Sequence, residues 1–326
     1  MGPHVESRLS RKLRVAVLSG GPSAERLISL KSGSAVARAL AEFGHTVSEI
    51  DPAVVDVAKL DWGPFDVAFI ALHGKFGEDG QVQEILEQAL IPYTGSGVAA
   101  SRLAFSKSAS KERFAQHQVP TAPYVLIHES DTSHRIGQQA EQIGFPLVVK
   151  PDTQGSSLGV SIVRQPADLP AAIARCFHYD SFGLLEQALV GSEWTVGLID
   201  DRALPAIRIE TGRAFFDYEA KYEDDETRYQ FDYDVPAETV ESIVQTARNA
   251  CAAVGTSGLA RVDLILDQSQ TPYVLEVNTV PGLTDHSLVP KAAARLGMSL
   301  TDLCQECVQS ALRQATRRAA LRAGRG

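Results

Sequence analysis

The runs RVDLILD (261–267) and PYVLEVN (272–278) place three hard oxygen donors in otherwise apolar, strand-like surroundings: Asp263 in the first, Glu276 and Asn278 in the second. Glu276 and Asn278 are two residues apart and so share one face of a strand. Carboxylate and carboxamide oxygens in such a set suit Mg²⁺ held jointly with phosphate oxygens. The competing reading is a pair of acids on an exposed sheet face, but Val262, Leu264, Ile265 and Val277 beside them read as core strand. A second candidate is KPDTQGSSLGVS (150–161). It is either a turn between two strands or a lid over a phosphate: Gly155, Ser156, Ser157 and Gly159 let backbone N–H groups face an anion, with Lys150 just before them. The phosphate loop GxxxxGK[ST] is absent from the chain.

Two further stretches stand at strand ends. LSGGPSAE (18–25) follows the first apolar run and opens a helix, with Ser23 as its expected cap. Glu25 there either complements the helix dipole or meets a ligand. ALHGKFGEDG (71–80) follows another strand and carries His73. In open α/β sheets ligands lie beyond the carboxyl ends of strands, so His73 is either structural or part of a site.

The elements that must position these residues divide the chain. LRVAVLSGG, HTVSEID and FDVAFIAL read as strands, with helical periodicity over PSAERLISLKSGSAVARALAEFG and QVQEILEQAL, and IPYTG returns to the sheet. This alternation predicts a doubly wound α/β domain over 1–101. A small α+β domain with antiparallel strands is predicted over 102–187, opening with one helix AFSKSASKERFAQHQ. The segment 188–312 carries the strands EWTVGLID, RALPAIRIE, LARVDLILD and PYVLEVN and two late helices, and 313–326 is a basic tail. FFDYEAKYEDDETRYQFDYDVP (215–236) is too long for a casual connection, and loops of that size are usually functional or disordered.

With 326 residues, 44% hydrophobic and 22% charged, the chain has ample material for two or three cored domains. Its net charge of −9 disfavours broad nucleic-acid binding. The arginines after Leu312 read as a solvated helix end rather than a binding arm. Cys304 and Cys307 form a lone C-x-x-C inside one amphipathic helix, and no second pair completes a zinc site. Reduced thiols and a cytoplasmic location are expected. No secretory h-region and no run of about 18 apolar residues is present, so no membrane association is expected.

Taken in order, GGPSAERLISLKSG, ALHGKFGEDG, IPYTGSGVAAS, KPDTQGSSLGVS, FFDYEAKY, ARVDLILD and LEVNTVPGLTDHSLVP resemble the D-alanine–D-alanine ligase family of the ATP-grasp superfamily, from about Val15 to Leu312. The resemblance implies a three-domain ATP-grasp architecture. It assigns ATP phosphates to Lys107, Lys150 and Lys221, a closing loop to Gly155–Gly159 with Ser156 and Ser157, and adenine and ribose to Glu186 and Glu193. Asp263, Glu276 and Asn278 would hold two Mg²⁺ (or Mn²⁺) ions. Glu25 would take the ammonium of the first D-alanine, with His73 nearby, and Ser287 and Leu288 the carboxylate of the second. Arg261 and Gly282 would face the developing oxyanion, and Tyr222 and Ser156, linked towards Glu25, would complete the site. The chain departs from the family pattern at Gln154, where Glu is common, and at Gln187 and Ala188, where Lys-Trp is common.

The implied activity is ATP-dependent joining of two D-alanines through a D-alanyl phosphate, for peptidoglycan precursors, by a homodimer. Both chemical steps build charge on oxygen, so cations and N–H donors matter and no protein nucleophile is needed. Tyr at position 222 goes with an amine acceptor in the family. Another acceptor (D-lactate or D-serine) and a non-catalytic nucleotide-binding relative are the alternatives. A dinucleotide oxidoreductase is poorly supported, because Asp51 closes the second strand but G-x-G-x-x-G is missing.

Overall fold

The structure is a computed structural model that describes residues 11–211 and 227–323. The elements run β1 (Arg14–Leu18), α1 (Arg26–Phe43), β2 (Thr46–Ile50), β3 (Val67–Ile70), α2 (Gln81–Gln88), α3 (Val98–Phe105), α4 (Lys107–Gln116), β4 (Tyr124–His128), α5 (Ser133–Ile143), β5 (Leu147–Pro151), β6 (Ser161–Val163) and α6 (Leu169–Phe177). There follow β7 (Phe182–Gln187), β8 (Gly191–Ile199), β9 (Arg202–Ala203), β10 (Ile207–Glu210), β11 (Arg228–Gln230), α7 (Ala237–Val254), β12 (Leu259–Asp267), β13 (Pro272–Asn278), α8 (Leu288–Arg295) and α9 (Leu300–Ala323). By their contacts, the described residues among 1–77, 81–95 and 282–326 form one compact unit, and those among 78–80 and 96–281 a second.

In the first unit β1 lies between β2 and β3, all parallel, and Tyr93 bridges alongside Ala68. Parallel strands covered on both faces become continuous apolar runs, and Val15, Ala16, Val17 and Leu18 are all buried. Each such aliphatic side chain contributes on the order of 1.5–3 kcal/mol. α1 lies directly on β1: a Cβ on Gly33 would stand 2.2 Å from that of Ser19, so only glycine permits the approach. α9 packs along α1, and His45 Nε2 meets Gln305 Oε1 at 2.7 Å. The apolar face of α9 is Leu303, Cys304, Cys307, Val308 and Ala311, all buried, so the C-x-x-C is two steps of one packed face. Burial pushes the Cys304 thiol up to about 12.

The second unit has two antiparallel sheets among its described residues. The smaller runs β4-β7-β5-β6. α5 and α6 cover its outer face through Ile127, Ile136, Val149, Leu169, Cys176 and Leu185. The larger runs β11-β10-β8-β12-β13, with β9 on β8. α3, α4 and α7 bury Trp194, Val196, Val262 and Leu264 of that sheet against Phe114, Ile243 and Ala247.

Several details differ from the expectation: RALPAIRIE is two strands, β9 and β10, and β11 lies within the predicted connection 215–236. The single helix over 104–118 is two helices broken at Ser106, whose extended backbone (φ −89°, ψ 115°) makes it the N-cap of α4. Its Oγ accepts from Ala109 N at 3.2 Å. The eighteen-residue α7 was not anticipated; its buried stripe is Thr239, Ile243, Thr246, Ala247, Ala250, Cys251 and Val254.

Candidate active site

Strand pairing in the second unit makes the predicted donor set one surface. Asp263 on β12 is the cross-strand partner of Glu276 on β13, and Arg261 is the partner of Asn278. All four lie on one face of two adjacent strands. Arg261 grips Asp263 with a fork, Nε to Oδ1 at 2.8 Å and Nη2 to Oδ2 at 2.7 Å. Thr195 on β8 also donates to Asp263 Oδ1, at 2.6 Å. Asn278 Oδ1 accepts from Val280 N at 3.1 Å.

The smaller sheet and α4 contribute the cations. Lys150, near the end of β5, reaches Glu186 Oε2 at 2.8 Å. Lys111 reaches the same oxygen at 2.9 Å and donates to Thr121 Oγ1 at 2.6 Å. Lys107 stands 3.5 Å from Glu276 and donates to the carbonyl of Gln154 at 2.6 Å. Lys111 and Glu186 are almost wholly buried, at 1% and 2% exposure. Burial drives the Lys111 ammonium down to about 8, against the pull of Glu186, which raises it, while Lys150 lowers it further. Burial pushes the Glu186 carboxyl up, but Lys150 and then Lys111 outweigh this and hold it below its ordinary value. The carboxylate that the resemblance assigns to the nucleoside is thus also the counter-ion of two lysines.

Lys107, Lys150, Glu186, Asp263 and Glu276 border a cavity of about 700 Å³. Val148 and Ile162 line it from the smaller sheet and Ile265 and Leu275 from the larger, with Lys107, Lys150, Glu186, Glu193, Asp263 and Glu276 at its polar parts. Its size is that of an ordinary small-molecule site, and its apolar walls suit a flat ring. Beside it, Ser156 (φ 52°), Ser157 (φ 58°) and Gly159 (φ 75°) hold left-handed backbone. Ser157 lines the cavity. Backbone turned this way forms anion-binding concavities. The loop from Gly155 to Gly159 is fastened at its start, where Thr153 donates to Asp180 Oδ2 from both N (2.8 Å) and Oγ1 (2.6 Å).

The donor set fits a divalent cation. Among the described residues no group of three or more His, Cys, Asp or Glu is gathered for a metal. Two carboxylates on the cavity wall, with the Asn278 amide on the same strand face, leave coordination positions for phosphate oxygens and water, as Mg²⁺ requires.

In the first unit Ser23 Oγ donates to the carbonyl of His73 at 2.6 Å and accepts from Glu25 N at 3.1 Å. The expected cap at Ser23 therefore moves by two residues, and Glu25 is the N-cap of α1. The Glu25 carboxylate comes so near the chain that a Cβ on Gly74 would stand 2.7 Å from Oε2. His73 is buried, and its Nε2 meets Ser32 Oγ at 3.1 Å. Ser32 Oγ also accepts from Leu283 N at 3.4 Å, which brings the 282–287 loop alongside. In that loop Ser287 Oγ accepts from Thr284 N at 3.1 Å and stands 2.8 Å from where a Cβ on Gly282 would be. Leu288, first residue of α8, is buried. Lys221 and Tyr222 lie outside the described residues.

Sequence reasoning overlooked Lys111, Asp152, Asp180, Thr195 and Ser32. Lys111 had a signal: KSASK sets two lysines four apart on one face of a helix.

The model for the D-ala D-ala ligase C-terminus matches residues 114–309, and that for the N-terminus matches residues 56–96. The chain belongs to the D-alanine–D-alanine ligase family. It is 43% identical over 298 residues to the D-alanine–D-alanine ligase of Anaeromyxobacter dehalogenans, covering 91% of this chain and 96% of that one. Against the ligase of Alkalilimnicola ehrlichii the identity is 44%, over 89% and 92%. A crystal structure of the Bacillus anthracis ligase complexed with ATP has a TM-score of 0.82 at 30% identity, covering 94% of this chain and 99% of that one. The ligase from Coxiella burnetii, 23% identical, shares the fold with a TM-score of 0.83, over 96% and 97%. The family's α/β ATP-grasp architecture is thereby established for this chain.

Proposed function

We propose that this family member joins two D-alanine molecules to D-alanyl-D-alanine at the expense of ATP, for peptidoglycan precursor synthesis. The observation that carries the reading is the cavity of the second unit, which Lys107, Lys150, Asp263 and Glu276 line together with apolar side chains, Asn278 sharing the strand face of Glu276. ATP would lie there, with Val148, Ile162, Ile265 and Leu275 about the adenine and Glu193 at the ribose. Lys107 and Lys150 would bind phosphate oxygens, Lys221 would join them, and Gly155–Gly159 would close over them. Asp263, Glu276 and Asn278 would hold two Mg²⁺ or Mn²⁺ ions, whose chemistry is to neutralise charge on phosphate oxygens.

The carboxylate of the first D-alanine attacks the γ-phosphorus, the bond to the β-phosphate oxygen breaks, and ADP leaves. The amine of the second attacks the acyl carbon, and phosphate departs as the peptide bond forms. Glu25 is assigned to the ammonium of the first D-alanine, with His73 holding that region in place. Ser287 and the backbone at Leu288 are assigned to the carboxylate of the second, and Arg261 and Gly282 to the oxyanion of the tetrahedral intermediate. Ser156 and Tyr222 complete the assignment, Tyr222 favouring an amine acceptor. An acyl phosphate survives only away from water, which gives the loop its purpose.

No described helix is long and apolar enough to cross a membrane. A cytoplasmic homodimer is the state we propose, and light scattering on the purified chain checks the stoichiometry. The test of function is phosphate release from ATP and Mg²⁺ with D-alanine alone, then with D-lactate or D-serine added, identifying the product by mass. D-alanyl-D-alanine formed only when D-alanine is present is expected. A depsipeptide or mixed dipeptide as main product moves the reading to another acceptor. Nucleotide binding without any release moves it to a non-catalytic relative.

A further inference from the structure

Asp152 follows Lys150 and Pro151 and is buried, at 6% exposure, yet the reading so far leaves it without a task. Three bonds reach it from the first turn of α4. Its carbonyl accepts from Lys107 N at 3.1 Å, its Oδ1 from Ser108 N at 2.7 Å and its Oδ2 from Ser106 Oγ at 2.8 Å. The opening N–H groups of a helix have no partner within the helix, and a carboxylate there also meets the positive end of the dipole. Asp152 and the Ser106 cap between them complete the start of α4, the helix that carries both Lys107 and Lys111.

The next two residues are held as well. Thr153 is bonded to Asp180 through its N and Oγ1. Gln154 accepts from Lys107 Nζ through its carbonyl and donates from Nε2 to the carbonyl of Tyr179 at 3.1 Å. That last bond uses a donor that an ionised Glu at this position lacks. Residues 152–154 are thus a strap pinned on both sides, and left-handed backbone begins after it, at Ser156.

We propose that Asp152 is a positioning residue for nucleotide phosphates: by clipping the start of α4 to the base of the 155–159 loop, it sets Lys107 and the loop in one register around the phosphates. This rests on the nucleotide reading of the cavity. Asp152 is not among the residues that line the cavity. Its effect passes through Lys107, whose ammonium lies between the Gln154 carbonyl and Glu276, 3.5 Å away. A misplacement of about 1 Å at such a point costs on the order of a hundredfold in rate.

The test is calorimetric binding of ADP and, separately, of adenosine to the full chain, for wild type, Asp152→Ala and Asp152→Asn. Asn keeps an oxygen for Ser108 N but loses the charge. Asp152→Ala is expected to weaken ADP by about tenfold, the weight of one charge-assisted hydrogen bond. Adenosine, which has no phosphates, should stay within about twofold, with Asp152→Asn between wild type and Ala for ADP. ADP bound by Asp152→Ala as by wild type overturns the proposal, and so does an equal loss for ADP and adenosine, which marks general loosening. Wild type that binds neither ligand overturns the cavity reading, and the proposal with it. Should Asp152→Ala fail to fold by its melting curve, Ser106→Ala takes its place. It cuts one arm of the clip while Asp152 stays, and a loss of about threefold confined to ADP is expected. The same affinities as wild type would sink the idea.

Discussion

Lys111 offers a test that needs no substrate. Lys111 is 1% exposed; its ammonium shares one oxygen of Glu186 with Lys150 and also donates to Thr121 Oγ1 and the carbonyl of Ala122. Burial lowers it from 10.5 to about 8. A lysine lowered in the folded state binds its proton more weakly there than in the unfolded chain. Above about 10.5 both states are neutral, and below about 8 both are charged. Between these values only the unfolded state holds the proton, so stability rises with pH across that window and falls as pH drops through it. At about 1.36 kcal/mol per pH unit the interval is worth on the order of 3 kcal/mol. Lys111→Met removes the titrating group and leaves Glu186 paired with Lys150. Urea unfolding of both proteins from about pH 7 to about pH 10 reads the effect, because groups that do not interact with Lys111 cancel in the difference. The unfolding free energy of wild type minus that of Lys111→Met should climb by about 2–3 kcal/mol over this range, most steeply above about pH 8. A flat or falling difference refutes the reasoning, since an exposed or freely hydrated lysine gives no slope there.

Asp51 is lowered to about 2, first by its hydrogen bond from Arg26, against burial, with help from the N–H groups of Gly21 and Ala53. Its contribution is present above the ordinary value of 3.8 and is lost as pH falls towards about 2. Asp51→Asn should therefore cost about 1 kcal/mol near neutrality, and acid-unfolding curves of mutant and wild type should converge below about pH 2. Gly159→Ala would put a methyl 2.7 Å from Pro151 Cγ and 2.9 Å from Tyr179 Cδ2 on backbone at φ +75°. Left-handed backbone alone costs about 1–2 kcal/mol, so the KM for ATP should rise by about tenfold with the KM for D-alanine unchanged; an unaltered ATP KM would mean the loop does not meet phosphate. Asp263→Asn keeps one acceptor for Arg261 and removes the charge, and should lower kcat by about a hundredfold or more and raise the Mg²⁺ needed for half-activity. A Mg²⁺ titration superimposable on wild type excludes Asp263 as a ligand.

The readable parts of this chain were those whose partners are near in sequence or whose pattern is strong. The β12 and β13 runs alternate with strong apolar residues, so the common face of Glu276 and Asn278 was legible, and the pairing of Asp263 with Glu276 fell in register. The break at Ser106 was not legible, because AFSKSASKERFAQHQ is continuous at helical spacing. What supports the break is Asp152, remote in sequence, which binds Ser106 Oγ and Ser108 N. α7 escaped notice because its buried stripe is mostly alanine and threonine, with Ile243 and Val254 the only large aliphatics among its buried residues. The burial of Lys111 was invisible for a related reason. Spacing puts it on the face of Lys107, but only the folded position of Glu186 distinguishes a buried lysine from a solvated one. Lys221 and Tyr222 remain expectations of the resemblance, because they lie outside the described residues.

The charges of the cavity are arranged as exchangeable pairs. Lys150 is on Glu186, Lys107 is near Glu276, and Arg261 is forked onto Asp263. A lone buried charge costs several kcal/mol, so pairing these lysines and carboxylates with one another stabilises the fold around the cavity. It also couples the ligands. On the proposed function, phosphate drawn to Lys107 would free Glu276 for a cation, and a cation at Asp263 and Glu276 would free Arg261 and Lys107 for anionic oxygen. Each ligand alone breaks pairs that only the other can make good, so nucleotide and metal should each raise the affinity of the other by the same factor. Lys111 has no such exchange open to it, because its ammonium is enclosed by Glu186 and Thr121 and does not line the cavity. On the proposed function its charge would keep Glu186 neutralised when Lys150 turns to phosphate.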